Sequence, residues 1–347
     1  TKFNNNEVPY ELIRKMRGSI YVLGPLLAKF GKARVSLPGG CAIGSRPVDL
    51  HLKGMEALGA TISIKNGFID ATVEGRLKGD ECELIGENGP SVGATCNVIM
   101  AAVLAEGETI IHGAAIEPEI GDLIEFLQKA GAIIRGKNTK ILTINGRTSL
   151  NGISFEVLPD RIETGTFMAA AAITRGNFLL RNCRPENLKS EIDKLREMGV
   201  SVEVGEQFIR VKHSGRIESV SIRTSPYPGF ATDLQAQFTA LLAISSGEST
   251  VTESVFPDRF IHTAELNRMG ANIGVTHATA VIKGIAELSG AHIMATDLRA
   301  SAALVLAALA ANGTTDIHRI YHLDRGYENL EFKLNACGAD IQRVNDI

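Results

Sequence analysis

The chain has 347 residues, 44% of them hydrophobic and 22% charged, with no tryptophan and a formal net charge of −3. That mix suits a globular protein with room for two domains, and the slight acidity gives none of the bulk positive field on which nucleic-acid binding depends. No apolar run reaches the roughly 18–20 residues of a membrane span, and the five cysteines form no CxxC pair or metal spacing, so the expected protein is cytoplasmic, with reduced thiols, no resident metal or cofactor and no membrane partner.

Read in order, the chain repeats itself. Thr1 falls within what reads as a strand or hairpin end. Helix-length apolar runs stop at Gly31, Gly107, Gly176, Gly247 and Gly313, and 23 to 28 residues after each of them a second amphipathic segment stops at Gly59, Gly131, Gly199, Gly270 and Gly338. Successive members of each series lie 66 to 76 residues apart. Glycine suits a helix end because it enters the left-handed region without a Cβ clash. Ten in register mark one multiplied supersecondary unit.

In the first unit Ile62 and Ile64 alternate, Asn66-Gly67 makes a hairpin turn, and Ile69, Ala71 and Val73 alternate back. The third unit is the clearest. Arg161 to Ile173 is small and apolar on most sides, as an interior helix is. Phe178 and Leu180 follow as a strand, and Pro185-Glu186 opens a helix whose Leu188, Ile192, Leu195 and Met198 form one stripe. Val200, Val202 and Val204, then Phe208, Ile209 and Val211, make the returning strands. The predicted order for every unit is helix, strand, helix, strand, turn, strand. In the fifth, Ala300–Ala311 is a buried helix, and Tyr327, Leu330, Leu334 and Cys337 share a face of the next. Five visible units imply a sixth before Thr1. The domains are then 1–157, with two visible units and a Gly-rich loop at 37–47, and 158–347, with three.

Polar residues gather at the start of the first helix of the units and in the loop before the second. Leu37-Pro-Gly-Gly-Cys41-Ala-Ile-Gly-Ser-Arg46 places a thiol among glycines near arginines, an uncrowded and reactive setting. Ala231-Thr-Asp233-Leu-Gln-Ala-Gln237 is echoed by Ala295-Thr-Asp297-Leu-Arg299-Ala-Ser301. Each aspartate alone reads equally well as a helix cap, but the duplication before two very apolar helices points both inward to one site. Arg17, Arg46, Arg161, Arg259, Arg299 and Arg325 recur at unit junctions, and converging guanidinium groups suit a small polyanion. His292, His318 and His322 read as structural. No phosphate loop, dinucleotide fingerprint, HExxH or GxSxG string is present.

These strings, with Gly44-Ser-Arg46-Pro-Val-Asp49-Leu-His51, Leu158-Pro-Asp-Arg161-Ile-Glu163-Thr-Gly165 and Asp324-Arg325-Gly-Tyr327-Glu328, resemble the enolpyruvyl transferases, on the branch that carries a cysteine loop. The resemblance implies an inside-out α/β barrel in each of two domains, with helices central, sheets outside and ligands in the cleft between. It implies transfer of enolpyruvate from phosphoenolpyruvate to the 3-hydroxyl of UDP-N-acetylglucosamine with loss of phosphate, the committed step toward peptidoglycan. By the same resemblance Cys41 is the general acid and the target of fosfomycin, and Asp233 holds the sugar hydroxyl. Arg17, Arg46 and Arg325 surround phosphoenolpyruvate, and Asp297 and Arg299 line the same site. Arg46, Pro47, Val48, Asp49 and Leu50 form the uridine site, Ser91, Val92 and Gly93 offer N–H groups to the diphosphate, and Arg161, Val255 and Arg259 complete the binding set. The family's catalytic Lys-Asn pair belongs to the unit expected before Thr1, so turnover by this chain alone is expected to be weak or absent. A UDP-sugar-binding paralogue without turnover, or an enolpyruvyl transferase for another acceptor, are the alternatives.

Overall fold

The structure, a computed structural model, describes residues 7–8, 17–37 and 48–344, with backbone alone for Glu7, Val8 and Arg17. Cys41, Arg46, Pro47 and the Arg17 side chain lie outside the described residues. The chain forms two compact units, with the break between Leu158 and Pro159.

The repeat appears as alternating inner and outer helices. The inner ones are α1 (Leu23–Phe30), α3 (Val92–Ala102), α5 (Arg161–Ile173), α7 (Gln235–Ala243) and α9 (Leu298–Leu309). The outer ones are α2 (Asp49–Ala57), α4 (Pro118–Lys129), α6 (Lys189–Glu197), α8 (His262–Arg268) and α10 (Leu330–Ala336). In the first unit α1 packs on α3, and in the second α5, α7 and α9 pack on one another. Every residue of α7 is buried, as a helix surrounded by protein on all sides requires. Its Phe238 meets Phe230 edge to face with centroids 4.8 Å apart, worth about 0.5–1.5 kcal/mol beyond burial. Among the described residues no helix is long and apolar enough to cross a membrane.

Each inner helix feeds a strand, and each of the first four outer helices feeds a hairpin that folds back beside it. In the first repeat Lys32–Ser36 pairs antiparallel with Phe68–Thr72, which pairs antiparallel with Thr61–Lys65, and Glu7–Val8 adds in parallel at the other edge. The second and fourth repeats copy this order, with Glu81–Glu83 and Ser221–Arg223 as their parallel edge strands. Asn66 and Gly67 both take positive φ, 52° and 77°, as the tight hairpin turn requires. The fifth repeat departs from the predicted order. Among the described residues it has helix, strand and helix but no closing hairpin, and Asp316–His318 pairs in parallel with His292–Met294.

The second glycine series ends helices as expected. Gly59, Gly131, Gly199, Gly270 and Gly338 each sit one residue past the C-cap with positive φ. In all five, the next residue donates back to the carbonyl five positions earlier, as Val200 N–H does to Leu195 O and Ala271 N–H to Leu266 O, both inside the apolar core. This is the Schellman closure with its apolar contact. The first series behaves differently. Only Gly31 is a C-cap. Gly107, Gly247 and Gly313 come later, at the approach to the following strand. There the carbonyls of Gly107 and Gly247 accept from Gly146 and Gly284, just past the hairpin. Gly176 does not take the left-handed position at all. Arg175 does, at φ 55°, and Gly176 N–H closes the turn on Ala171 O. Helix α5 therefore stops one residue earlier than the glycine marks. Cys337 is likewise exposed rather than on the apolar face of α10, which ends one residue before it at Ala336.

Two arginines that the sequence does not single out close the repeat junctions. Arg76 donates to the carbonyls of Leu104, Ala105 and Arg147, and Arg216 donates to those of Ser245 and Ile285. Both satisfy carbonyls left open beyond an inner helix.

Candidate active site

Three of the five inner helices begin with a polar side-chain cap, and α1 and α7 do not. Ser91 Oγ accepts from Ala94 N–H at 3.2 Å, Asp160 Oδ1 from Ile162 and Glu163 N–H at 2.7 and 3.1 Å, and Asp297 Oδ1 from Arg299 and Ala300 N–H at 2.9 and 3.0 Å. Helix α7 is instead entered through a single 3-10 turn, Thr232–Leu234, and has no side-chain cap. The two echoed aspartates thus divide. Asp297 does the work of a cap, and Asp233 is released for something else.

Asp233 is gripped by two arginines from different repeats. Arg259 Nη1 lies 2.7 Å from its Oδ1 and Arg299 Nη2 lies 3.0 Å from its Oδ2. The arginine side chains are 7% and 13% exposed, whereas that of Asp233 keeps 38% of its surface open. A buried guanidinium pair behind a partly open carboxylate differs from an ordinary surface ion pair, in which both partners are solvated. Burial by itself would raise the Asp233 pKa, but Arg259 and Arg299 more than offset it, and the carboxyl is held well below the ordinary carboxylate range. Burial would lower the Arg299 pKa, yet Asp233 and Tyr327 push it above its usual value.

Behind this pair runs a buried polar network. Thr166 Oγ1 gives its proton to Ile162 O at 2.8 Å, so the Tyr327 hydroxyl 2.8 Å away donates to Thr166. Tyr327 in turn accepts from Arg299 Nη1 and Gln237 Nε2, both at 3.2 Å. Gln237 also reaches Asp233 O at 3.1 Å. A buried network of this kind fixes side-chain geometry, although Gln237 Oε1 finds no partner among the described residues. Only Gln237 and Tyr327 of it fell within the strings noted above, and Thr166 lies one residue beyond one of them.

The other expected residues are placed as follows. Arg161 heads α5 with its guanidinium over the Tyr227 ring, 5.8 Å from the centroid. Arg325, at the end of the 3-10 turn Ile320–Arg325, is exposed and makes no hydrogen bond or ion pair with a described residue. The Val255 N–H is taken by Glu253 Oε1 at 2.8 Å. Of the six junction arginines, Arg259 and Arg299 are those seen to converge on Asp233.

In the first unit, Val48 and Leu50 pack half-buried on its core, while Asp49 is exposed at the start of α2. Ser91 needs correction: its N–H donates to Leu84 O at 3.3 Å and is not on offer to a ligand. Val92 and Gly93, the next two residues, make no hydrogen bond through their N–H groups to described residues, as the first turn of a helix leaves them. Beside them stands His51, whose Nε2 would lie 2.9 Å from a Cβ on Gly93. Buried Asn97 holds this corner. Its Oδ1 accepts from Gly24 N–H at 2.7 Å, and its Nδ2 donates to Ile20 O and His51 Nδ1, each at 3.0 Å. Gly24 is required there because a Cβ would sit 2.4 Å from the Asn97 carbonyl oxygen.

Two buried groups near Asp233 left no trace in the sequence, Glu253 and His262. Burial lowers the His262 pKa to about 4, with Asp297 raising it and Arg259 lowering it further. The unfolded chain takes up this proton near pH 6.5. Stability is therefore complete above that pH and is lost as pH falls to about 4, by about 1.4 kcal/mol per unit. His213 and His322, also lowered by burial, add in the same direction. His262→Leu is expected to flatten the acid limb in urea melts compared at about pH 7 and about pH 5. An unchanged slope in that variant would remove His262 from the account.

Comparison with known proteins gives the family. The family model of EPSP synthase (3-phosphoshikimate 1-carboxyvinyltransferase) matches residues 2–334. A UDP-N-acetylglucosamine 1-carboxyvinyltransferase of Desulfosudis oleivorans is 54% identical over 98% of this chain and 81% of its own length. One of Klebsiella pneumoniae is 53% identical over 97% and 80%. Among solved structures, the enolpyruvyl transferase NikO from Streptomyces tendae superposes with a TM-score of 0.87 at 27% identity, covering 98% of this chain and 80% of that one. EPSP synthase from Acinetobacter baumannii shares the fold, with a TM-score of 0.70 at 20% identity over 94% and 78%. With repeat, polar core and near-complete alignment in accord, the chain belongs to the enolpyruvyl transferase family, among relatives named UDP-N-acetylglucosamine 1-carboxyvinyltransferase.

Proposed function

We propose that this protein transfers the enolpyruvyl group of phosphoenolpyruvate to the 3-hydroxyl of UDP-N-acetylglucosamine and releases phosphate, in the cytoplasm, at the committed step toward peptidoglycan. The observation that carries the reading is the accessible Asp233 carboxylate backed by the buried Arg259 and Arg299, together with relatives of that name at 54% identity.

On this reading each group has distinct work. Two guanidinium groups keep Asp233 ionised, so it acts first as the acceptor that orients the sugar hydroxyl. So weak a base takes the proton only as the new C–O bond makes the hydroxyl strongly acidic. Arg299 and Arg259 add fixed positive charge where an anionic co-substrate and its departing phosphate need it. Exposed Arg325 is free to move onto that anion. The Val92 and Gly93 N–H groups suit the diphosphate, and Val48, Asp49 and Leu50 the uridine. Cys41 fits the proton donor to the methylene carbon by its loop motif, since a thiol of ordinary pKa of about 8.5 is mostly protonated at neutral pH.

Phosphate release by the full-length protein should require both substrates, and its absence there with both present would reject the reading. Fosfomycin supplies a second test. Burial pushes Cys82 up to about 11 and Cys96 up to about 12, so neither offers a thiolate. One adduct is therefore expected on the Cys41 peptide and none after Cys41→Ser. An adduct on exposed Cys337 that survives this change would show general alkylation instead.

A further inference from the structure

Glu253 is 1% exposed and, among the described residues, faces no cation within ion-pair distance. It follows directly on the strand Glu248–Thr252. Its Oε1 accepts three hydrogen bonds, from Thr224 Oγ1 at 2.6 Å, Val255 N–H at 2.8 Å and Phe256 N–H at 3.0 Å. Its Oε2 accepts the Thr232 hydroxyl proton at 2.9 Å. A hydroxyl has one proton to give. With that proton committed to Glu253, the Thr232 oxygen presents only lone pairs elsewhere. Arg259 Nη1 donates to it at 2.9 Å, and the same nitrogen donates to Asp233 Oδ1 at 2.7 Å.

We propose that Glu253 is a positioning residue of this site: by fixing the direction of the Thr232 hydroxyl it holds the Arg259 guanidinium on Asp233. The proposal rests on the reading of Asp233 and Arg259 as the site that handles the sugar hydroxyl and the anionic co-substrate. It adds a residue that touches neither. A buried carboxylate with four hydrogen bonds and no counter-charge is costly to retain for packing alone. Relaying polarity through Thr232 to Arg259 gives it a task that an apolar residue could not perform.

Glu253→Gln isolates this link. Two fixed backbone N–H groups and the Thr224 hydroxyl all point at one oxygen, so the amide must place its carbonyl there. Its NH2 then faces Thr232. That hydroxyl becomes an acceptor toward residue 253, and its proton is left unpaired or aimed at Arg259. The loop at 254–256 keeps its bonds, whereas the hold on Arg259 loosens.

The expected result is a fall of about tenfold in kcat/KM, the loss of roughly one charge-assisted hydrogen bond, with the fold retained. The Asp233 carboxyl, followed by carbon-13 NMR of the labelled full chain, should titrate at higher pH than in the parent. Thr232→Val should do the same, and the double variant should be no worse than Thr232→Val alone, since both changes cut one relay. Additive losses, or an Asp233 titration unmoved in folded Glu253→Gln or in Thr232→Val, would overturn the proposal. The NMR arm needs no turnover. A full-length parent inactive on both substrates would count against the enzymatic reading while the titrations still decide the role of Glu253.

Discussion

Asp233→Asn should lower kcat/KM by about three orders of magnitude, or on the order of 4 kcal/mol of transition-state stabilisation. The asparagine keeps the shape but loses the charge that balances Arg259 and Arg299 and the capacity to take the hydroxyl proton. The change should also destabilise the protein, because two buried guanidinium groups are left with one neutral acceptor. Removing one member of such a buried ion pair costs about 3–5 kcal/mol. Added inorganic phosphate should then raise the melting temperature of the variant more than that of the parent, by occupying the uncompensated positive site. Steady-state assay and thermal melts with and without phosphate test both halves. A variant with parental turnover would remove Asp233 from the chemistry. Equal responses to phosphate would mean that the arginines do not form an anion site once freed.

Asn97→Ala is expected to be the most damaging single change in the first unit. It strips the Gly24 N–H, the Ile20 carbonyl and His51 Nδ1 of their partners in one step, all in a buried setting. Buried groups left unpaired cost about 1–3 kcal/mol each, though not additively. A total of about 3–5 kcal/mol corresponds to a fall on the order of 10 °C in the melting temperature of a unit this size. Asn97→Asp separates shape from hydrogen bonding. It fills the same space and still accepts from Gly24, but an ionised carboxylate cannot donate to Ile20 O or His51. It should therefore also destabilise, and the Gly24 amide should keep more of its hydrogen-exchange protection than in the alanine variant. A melting temperature within about 1 °C of the parent in both would show that the corner tolerates unpaired groups.

The departures from expectation have both local and long-range causes. The sequence marked Gly176 as the end of a helix, but Arg175 occupies the left-handed position and Gly176 closes the turn behind it. It marked Asp233 and Asp297 as equivalents, yet Asp297 binds the first N–H groups of its own helix while Asp233 turns to two arginines. It counted Ser91 among the N–H donors, but Leu84 accepts that N–H. The Gly176 and Ser91 closures are local, to Ala171 and Leu84, whereas Asp233 is turned by partners 26 and 66 positions away.

Read alone, the residues determined whatever depends on short range and period: the repeat, the Asn66-Gly67 hairpin, the five Schellman ends, and inner helices too apolar to face water. These follow from backbone sterics and burial, which act within a few positions of the residue concerned. The tertiary structure alone decided which polar side chains would meet. Thr166 and Tyr327 are 161 positions apart, Asp233 and Arg299 are 66, and Gly24 and Asn97 are 73. Glu253 and His262 carried no local signature, because a buried polar group is defined by the partners that surround it, and those are assembled only when the helices pack.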